Sequence, residues 1–79
     1  MPTFFFDIIV RGQKIRDEEG TVLANLTAAH HEAIKDARTL MSNAVVEGWD
    51  VSRRIIEVRS EGGEVLMTVP FAEALKLEE

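Results

Sequence analysis

A chain of 79 residues makes one small domain, here taken as 1–79, and at this size folding buries only roughly 60–65% of the surface that the unfolded chain exposes. It contains no cysteine, which excludes disulfides, thiolate metal sites and thiol nucleophiles, and makes association with a second copy the expected source of extra stability. Fourteen acidic against nine basic residues leave a net charge of −5, the wrong sign for generic attraction to nucleic acid or to an anionic membrane surface.

The opening "MPTFFFDIIV" is apolar but has no basic n-region, is interrupted by Asp7 and is followed by no small-residue cleavage site. It falls short of the roughly eighteen apolar residues that a membrane span requires. A cytoplasmic protein is the expectation. "TFFFDIIVR" instead reads as a strand, rich in aromatic and β-branched residues. Alternation places Phe4, Phe6, Ile8 and Val10 on one face, and Phe5, Asp7, Ile9 and Arg11 on the other. A turn at Gly12-Gln13 leads into a short strand, "KIR". The acidic "DEEG" then precedes another brief extended piece, "TVL".

Asn25 is the natural N-cap of the next element, because its side-chain oxygen can accept from an early helical N–H. Apolar residues at 26, 29, 33, 34, 37, 40, 41, 44 and 45 form one helical stripe, predicting an amphipathic helix over about 26–47. Gly48 sits where a left-handed residue ends a helix, with Trp49 placed to fold back on Ala44 or Val45. "RRIIEVRS-EGG-EVLMTVP" predicts a hairpin. A two-residue Gly62-Gly63 loop pairs Val58 with Met67 and Ile56 with Val69, whereas a three-residue loop with a bulge at Gly63 changes the register. Pro70 ends the strand, and "FAEALKL" predicts a short terminal helix with Phe71 and Leu75 one turn apart. The expected fold is therefore α+β in two layers: about four antiparallel strands, ordered hairpin–helix–hairpin, covered by one long helix, with a short C-terminal helix.

"FFFDI", "RDEEGTVL", "EAIKDAR" and "RRIIEVRSEGGEVLMTVPF" together resemble a family of very short proteobacterial proteins, frequent in rhizobia, known as domain of unknown function 6894. The likeness runs from Met1 to about Leu75. Its most specific parts are Asp17-Glu18-Glu19-Gly20 and Leu66 to Phe71, above all Thr68-Val69-Pro70-Phe71. The resemblance implies a bacterial, soluble, stand-alone domain and implies no activity. His30 stands where that pattern usually has arginine, so a required chemical role for His30 is not implied. Residues 3–45 also resemble, more distantly, the antitoxin half of a HicB-type toxin–antitoxin pair. The proline-rich turn and the C-terminal DNA-binding segment of that group are missing.

The candidate sites reduce quickly. Three consecutive acids do not converge on one cation as a calcium loop does, so Asp17–Gly20 reads as a turn, with Asp17 accepting from a nearby backbone N–H and Gly20 at positive φ. His30 and His31 diverge by about 100° around a helix and have no ligand one turn away, so no metal site is expected. His30 is expected half-buried with a backbone or strand partner. No serine or threonine lies in a G-x-S-x-G turn, and Glu61 and Glu64 flank the only glycine pair. No catalytic residue, cofactor or metal is expected, and the protein is not read as an enzyme.

Arg11, Lys14, Arg16, Arg53, Arg54 and Arg59 are the basic residues of interest. With Phe5 on the same sheet face, Arg11 and Arg59 could stack single-stranded bases, but Asp7 and Glu57 share that face, so cross-strand ion pairs are the expectation. The helix can cover only one side of the sheet, which leaves Phe5, Ile9, Ile55 and Leu66 on the other unless the last helix folds over them. The sequence thus points to a protein-association domain, most simply a homodimer, with Phe5, Ile9, Arg11, Ile55, Glu57, Arg59 and Leu66 as the candidate interface. An antitoxin-like or regulatory partner of a small basic protein is the first alternative. A weak single-strand RNA binder is the second.

Overall fold

A computed structural model describes residues 1–78. The elements run β1 (Thr3–Val10), β2 (Gln13–Ile15), β3 (Thr21–Val22), α1 (Leu26–Val46), β4 (Ile55–Arg59) and β5 (Val65–Pro70), then a 3₁₀ turn at Phe71–Ala74. All pairings are antiparallel, in the order β2-β1-β4-β5, with β3 also pairing β1. The expected α+β layering is therefore present, with five strands rather than four because "TVL" contributes its own short strand.

The local signals explain most boundaries. Asn25 caps α1 by accepting from the Ala28 N–H at 2.9 Å. At the other end the Gly48 N–H donates to the Val45 carbonyl and the Trp49 N–H to the Ala44 carbonyl, the paired bonds of a Schellman ending, with Gly48 at φ +91°. The indole itself does not fold back; Trp49 is 67% exposed. Helix burial is narrower than the apolar stripe predicts. Ala29, Ala33, Ala37 and Met41 are buried, but Leu26 and Val45 are exposed. A 21-residue helix is about 31 Å long and an eight-residue strand about 26 Å, so the helix ends overhang the sheet. The three alanines bring the helix backbone close to the sheet. The core is completed by Phe4, Ile56, Val58, Val69, Phe71 and Ala74.

Two turns differ from expectation. The first hairpin turns at Arg11-Gly12, not Gly12-Gln13: Val10 pairs with Gln13, and φ values of +52° and +78° match a two-residue hairpin twisted like its strands. Arg11 therefore belongs to the turn and not to the strand face. In the second hairpin Ser60 N–H donates to the Glu64 carbonyl across a three-residue loop, with Gly63 at φ +88°. A bulge follows, so that Arg59 pairs with Val65 while Val58 still meets Met67 and Ile56 meets Val69. The extra residue is Leu66, which packs against the helix-side core and so leaves the opposite face.

The terminal segment forms only the four-residue 3₁₀ turn, without a side-chain cap at its start, and Leu75 is exposed. Phe71 and Ala74 are buried against α1, with Arg38 Nε donating to the Ala74 carbonyl at 2.9 Å. The segment therefore closes the helix layer instead of covering the second sheet face. His30 finds its partner here, with Nε2 3.6 Å from Oε1 of Glu73, a residue of this turn and not of a strand, and His31 is exposed.

Candidate functional site

The sheet face turned away from α1 carries three directly opposed pairs: Phe5 with Arg59, Asp7 with Glu57, and Ile9 with Ile55. Five of the seven residues read as an interface are thus brought together. Arg11 and Leu66 are the two corrections, one drawn into a tight turn and the other moved by the bulge.

This face is less apolar than its sequence implies. Asp7 is fully buried, and its carboxylate takes two bonds from Arg59: Nε at 2.6 Å and a terminal guanidinium nitrogen at 3.1 Å. Arg59 also lies over the Phe5 ring, 5.2 Å from its centroid. A third donor is the Asp17 N–H at 2.9 Å. The Arg59 bonds, joined by that N–H, hold the Asp7 carboxyl below the usual carboxylate range against the opposing effect of burial. Asp7 in turn raises the Arg59 guanidinium further above its ordinary value. Lys14 Nζ lies 2.9 Å from Glu57 Oε1, so the expected ion pairs do form. One of them is buried.

The acidic turn is part of the same network. Asp17 Oδ1 accepts from the Glu19 and Gly20 N–H groups, the local turn that its sequence predicts. Its Oδ2 does something the sequence does not disclose: it accepts the Phe6 N–H at 3.0 Å. β3 pairs at Phe4 and β2 at Ile8, so the carboxylate fills the missing strand position between two short strands on one edge of β1. Gly20 sits at φ +72° against Thr3, Phe5 and the Phe4 carbonyl. Glu18 and Glu19 are exposed. Asp7, Asp17, Gly20 and Arg59 together form a latch that fixes the β2–β3 edge. Arg59 is held by Asp7 through Nε and one terminal nitrogen.

Among the described residues no group of three or more His, Asp or Glu side chains is placed to hold a metal ion, and no helix is long and apolar enough to cross a membrane. What the fold and face define is a two-layer α+β domain with one sheet face uncovered. The chain belongs to the family described as Domain of unknown function (DUF6894), whose model matches residues 3–72, a span that includes the whole latch. No curated protein and no solved structure matches the chain.

Proposed function

We propose that this domain is a non-enzymatic protein-association module that works as a homodimer through the uncovered sheet face. The observation that carries the reading is the missing third layer. The molecule is a slab with extents of 36 × 30 × 16 Å, and its radius of gyration, 12.7 Å, exceeds the roughly 11.6 Å of an evenly rounded chain of this length. Its core relies on alanines along the helix, so burying more apolar surface elsewhere adds to a thin margin. Ile9 and Ile55 form an apolar pair at one end of the β1–β4 ladder on the free face, and Lys14–Glu57 and Asp7–Arg59 set paired charge beside them, so that apolar and polar contacts adjoin as they do at interfaces. A standard interface takes about 800 Å² from each partner. That is about a seventh of the 5672 Å² surface, within reach of one broad face of the slab. The family resemblance and the cysteine-free composition support placing this dimer in the bacterial cytoplasm.

The test is the solution mass by light scattering over a wide concentration range, for the native chain and for Ile9→Lys with Ile55→Glu. These substitutions keep a favourable cross-strand pair, so the sheet should survive. A native dimer and a variant monomer with an unchanged circular dichroism spectrum are expected. A native monomer at every concentration, or a variant that remains dimeric, overturns the proposal.

A further inference from the structure

The end of the sheet carries a second feature, which the latch does not use and which shares Ile9 and Ile55 with the free face. The Arg11-Gly12 turn and the loop between α1 and β4 flank a solvent-open cavity of about 650 Å³. Its rim holds Arg11, Arg53 and Arg54, half of the six arginines in an acidic chain. Among the described residues, none of the three lies within ion-pair distance of a carboxylate, whereas Arg59 is bound by Asp7 and Arg38 by a backbone carbonyl. Trp49 stands on the same rim and is 67% exposed. The indole leaves apolar surface in water on a rim that also carries three arginines.

The local structure explains why the groups converge. Arg11 occupies a left-handed turn position, which directs its chain out of the β1 ladder. The Schellman ending of α1 places Trp49 just past the helix, and Asp50 accepts the Ser52 N–H at 2.9 Å, bending the loop so that Arg53 and Arg54 follow immediately. Ile9, Val51 and Ile55 supply apolar walls.

We infer that this cavity binds a nucleotide, the base against Trp49 and the phosphate among Arg11, Arg53 and Arg54. The volume lies in the range of about 300–1,000 Å³ typical of small-ligand sites. Arginine's planar fork suits phosphate oxygens, and an exposed indole offers a stacking surface to any base. Asp50, the acid on the rim, disfavours a plain polyanion. It provides an acceptor for a ribose hydroxyl or an exocyclic amine, groups that an inorganic phosphate lacks. The nucleotide can be free or part of a single strand, and the chemistry of the site is the same for both.

Trp49 is the only tryptophan, so intrinsic fluorescence reports this cavity alone. The full-length chain should be titrated with adenosine 5′-monophosphate, a short single-stranded oligoadenylate and inorganic phosphate, alongside the variants Arg53→Ala and Arg11→Asn, the latter chosen because asparagine tolerates the turn's positive φ. Saturable quenching by the monophosphate is expected, with affinity about ten-fold weaker in each variant. Stronger binding of the oligoadenylate assigns the site to a strand, and equal or weaker binding assigns it to the free nucleotide. An absent response to both adenine ligands, or the same response to inorganic phosphate alone, overturns the inference. Arg53 and Arg11 adjoin Ile9 and Ile55 on this rim, so the mass of each variant is measured beside its emission: weaker quenching at unchanged mass is a failure of this site, and a changed mass is a failure of the dimer.

Discussion

Replacing Gly20 by alanine puts a methyl group where the latch leaves no room. At φ +72° an L-residue already costs about 1–2 kcal/mol. The added Cβ lies 2.7 Å from Thr3 Cγ2, 2.9 Å from Phe5 Cε2 and 3.1 Å from the Phe4 carbonyl oxygen. Non-bonded carbons prefer about 3.5–4.0 Å, so the side-chain contacts are short by roughly 1 Å. Thr3 can rotate, but Phe5 lies under the Arg59 guanidinium and the Phe4 carbonyl belongs to the β1 backbone. Overpacking of this kind costs about 1–3 kcal/mol more. Gly48→Ala supplies the control, because Gly48 has φ +91° and no atom within 4 Å of the point an added methyl would occupy, leaving the backbone cost alone. Urea unfolding followed by circular dichroism should therefore show Gly20→Ala about 2–5 kcal/mol less stable than the native chain, and about 1–3 kcal/mol below Gly48→Ala. A domain of this length has only about 4–12 kcal/mol to lose. Equal midpoints for the two variants would refute the claim that the acidic turn is clamped onto β1.

Asp7→Ala strands Arg59 without its partner and frees the Asp17 N–H; since the pair lies just beneath the sheet surface, a loss near the lower end of the range for broken buried pairs, about 3 kcal/mol, is expected in the same unfolding assay. Burial, reinforced by Glu32 one turn away, pushes the Asp36 carboxyl up to about 6. Its folded-state value is raised above the unfolded one, so its contribution favours folding at low pH and is lost as pH rises through about 6. A raise of that size would correspond to about 3 kcal/mol if unscreened, but solvent contact reduces it to about 1 kcal/mol. Asp36→Asn should therefore stabilise the protein by that amount near neutral pH and flatten the decline between mildly acidic and neutral pH. Asp7 has the opposite sign: its depressed carboxyl contributes above the usual carboxylate range, and that contribution disappears as pH falls through its folded value. Ala33→Leu should overfill a fully buried position on the inner face of α1 and cost about 1–3 kcal/mol, seen as a lower thermal midpoint with helix content retained before the transition.

Much of the fold is legible from short stretches. Asn25 and Gly48 bracket α1 with groups that satisfy the helix's own unpaired ends, so its limits need no partner. The pairing of Ile56 with Val69 and of Val58 with Met67 follows from alternation around a glycine loop. The loop itself is less legible, because a three-residue turn followed by a bulge at Leu66 yields the same core register as a two-residue turn without one. Alternation assigns Leu66 to the free face, and only the bulge moves it to the core. The terminal helix shortens to one 3₁₀ turn because burying Phe71 against α1 outweighs a helical preference that four or five residues cannot sustain. Three arginines and a tryptophan, near one another in sequence or across the hairpin, signal the cavity at the sheet end, but their convergence on it is not legible in the letters.

What the sequence determined alone is the long helix, the two hairpins and most of their inner faces, since helix caps, turn glycines and apolar periodicity act between residues a few positions apart. Only the tertiary structure decided what the polar residues do. Asp7 and Arg59 lie 52 positions apart and meet only because β4 pairs with β1, and Asp17 reaches the Phe6 N–H only because two short strands share one edge with a gap between them. An acid in a turn and an acid in a strand look alike as letters. Their roles depend on which donors the sheet order brings within about 3 Å, and no local pattern specifies that order.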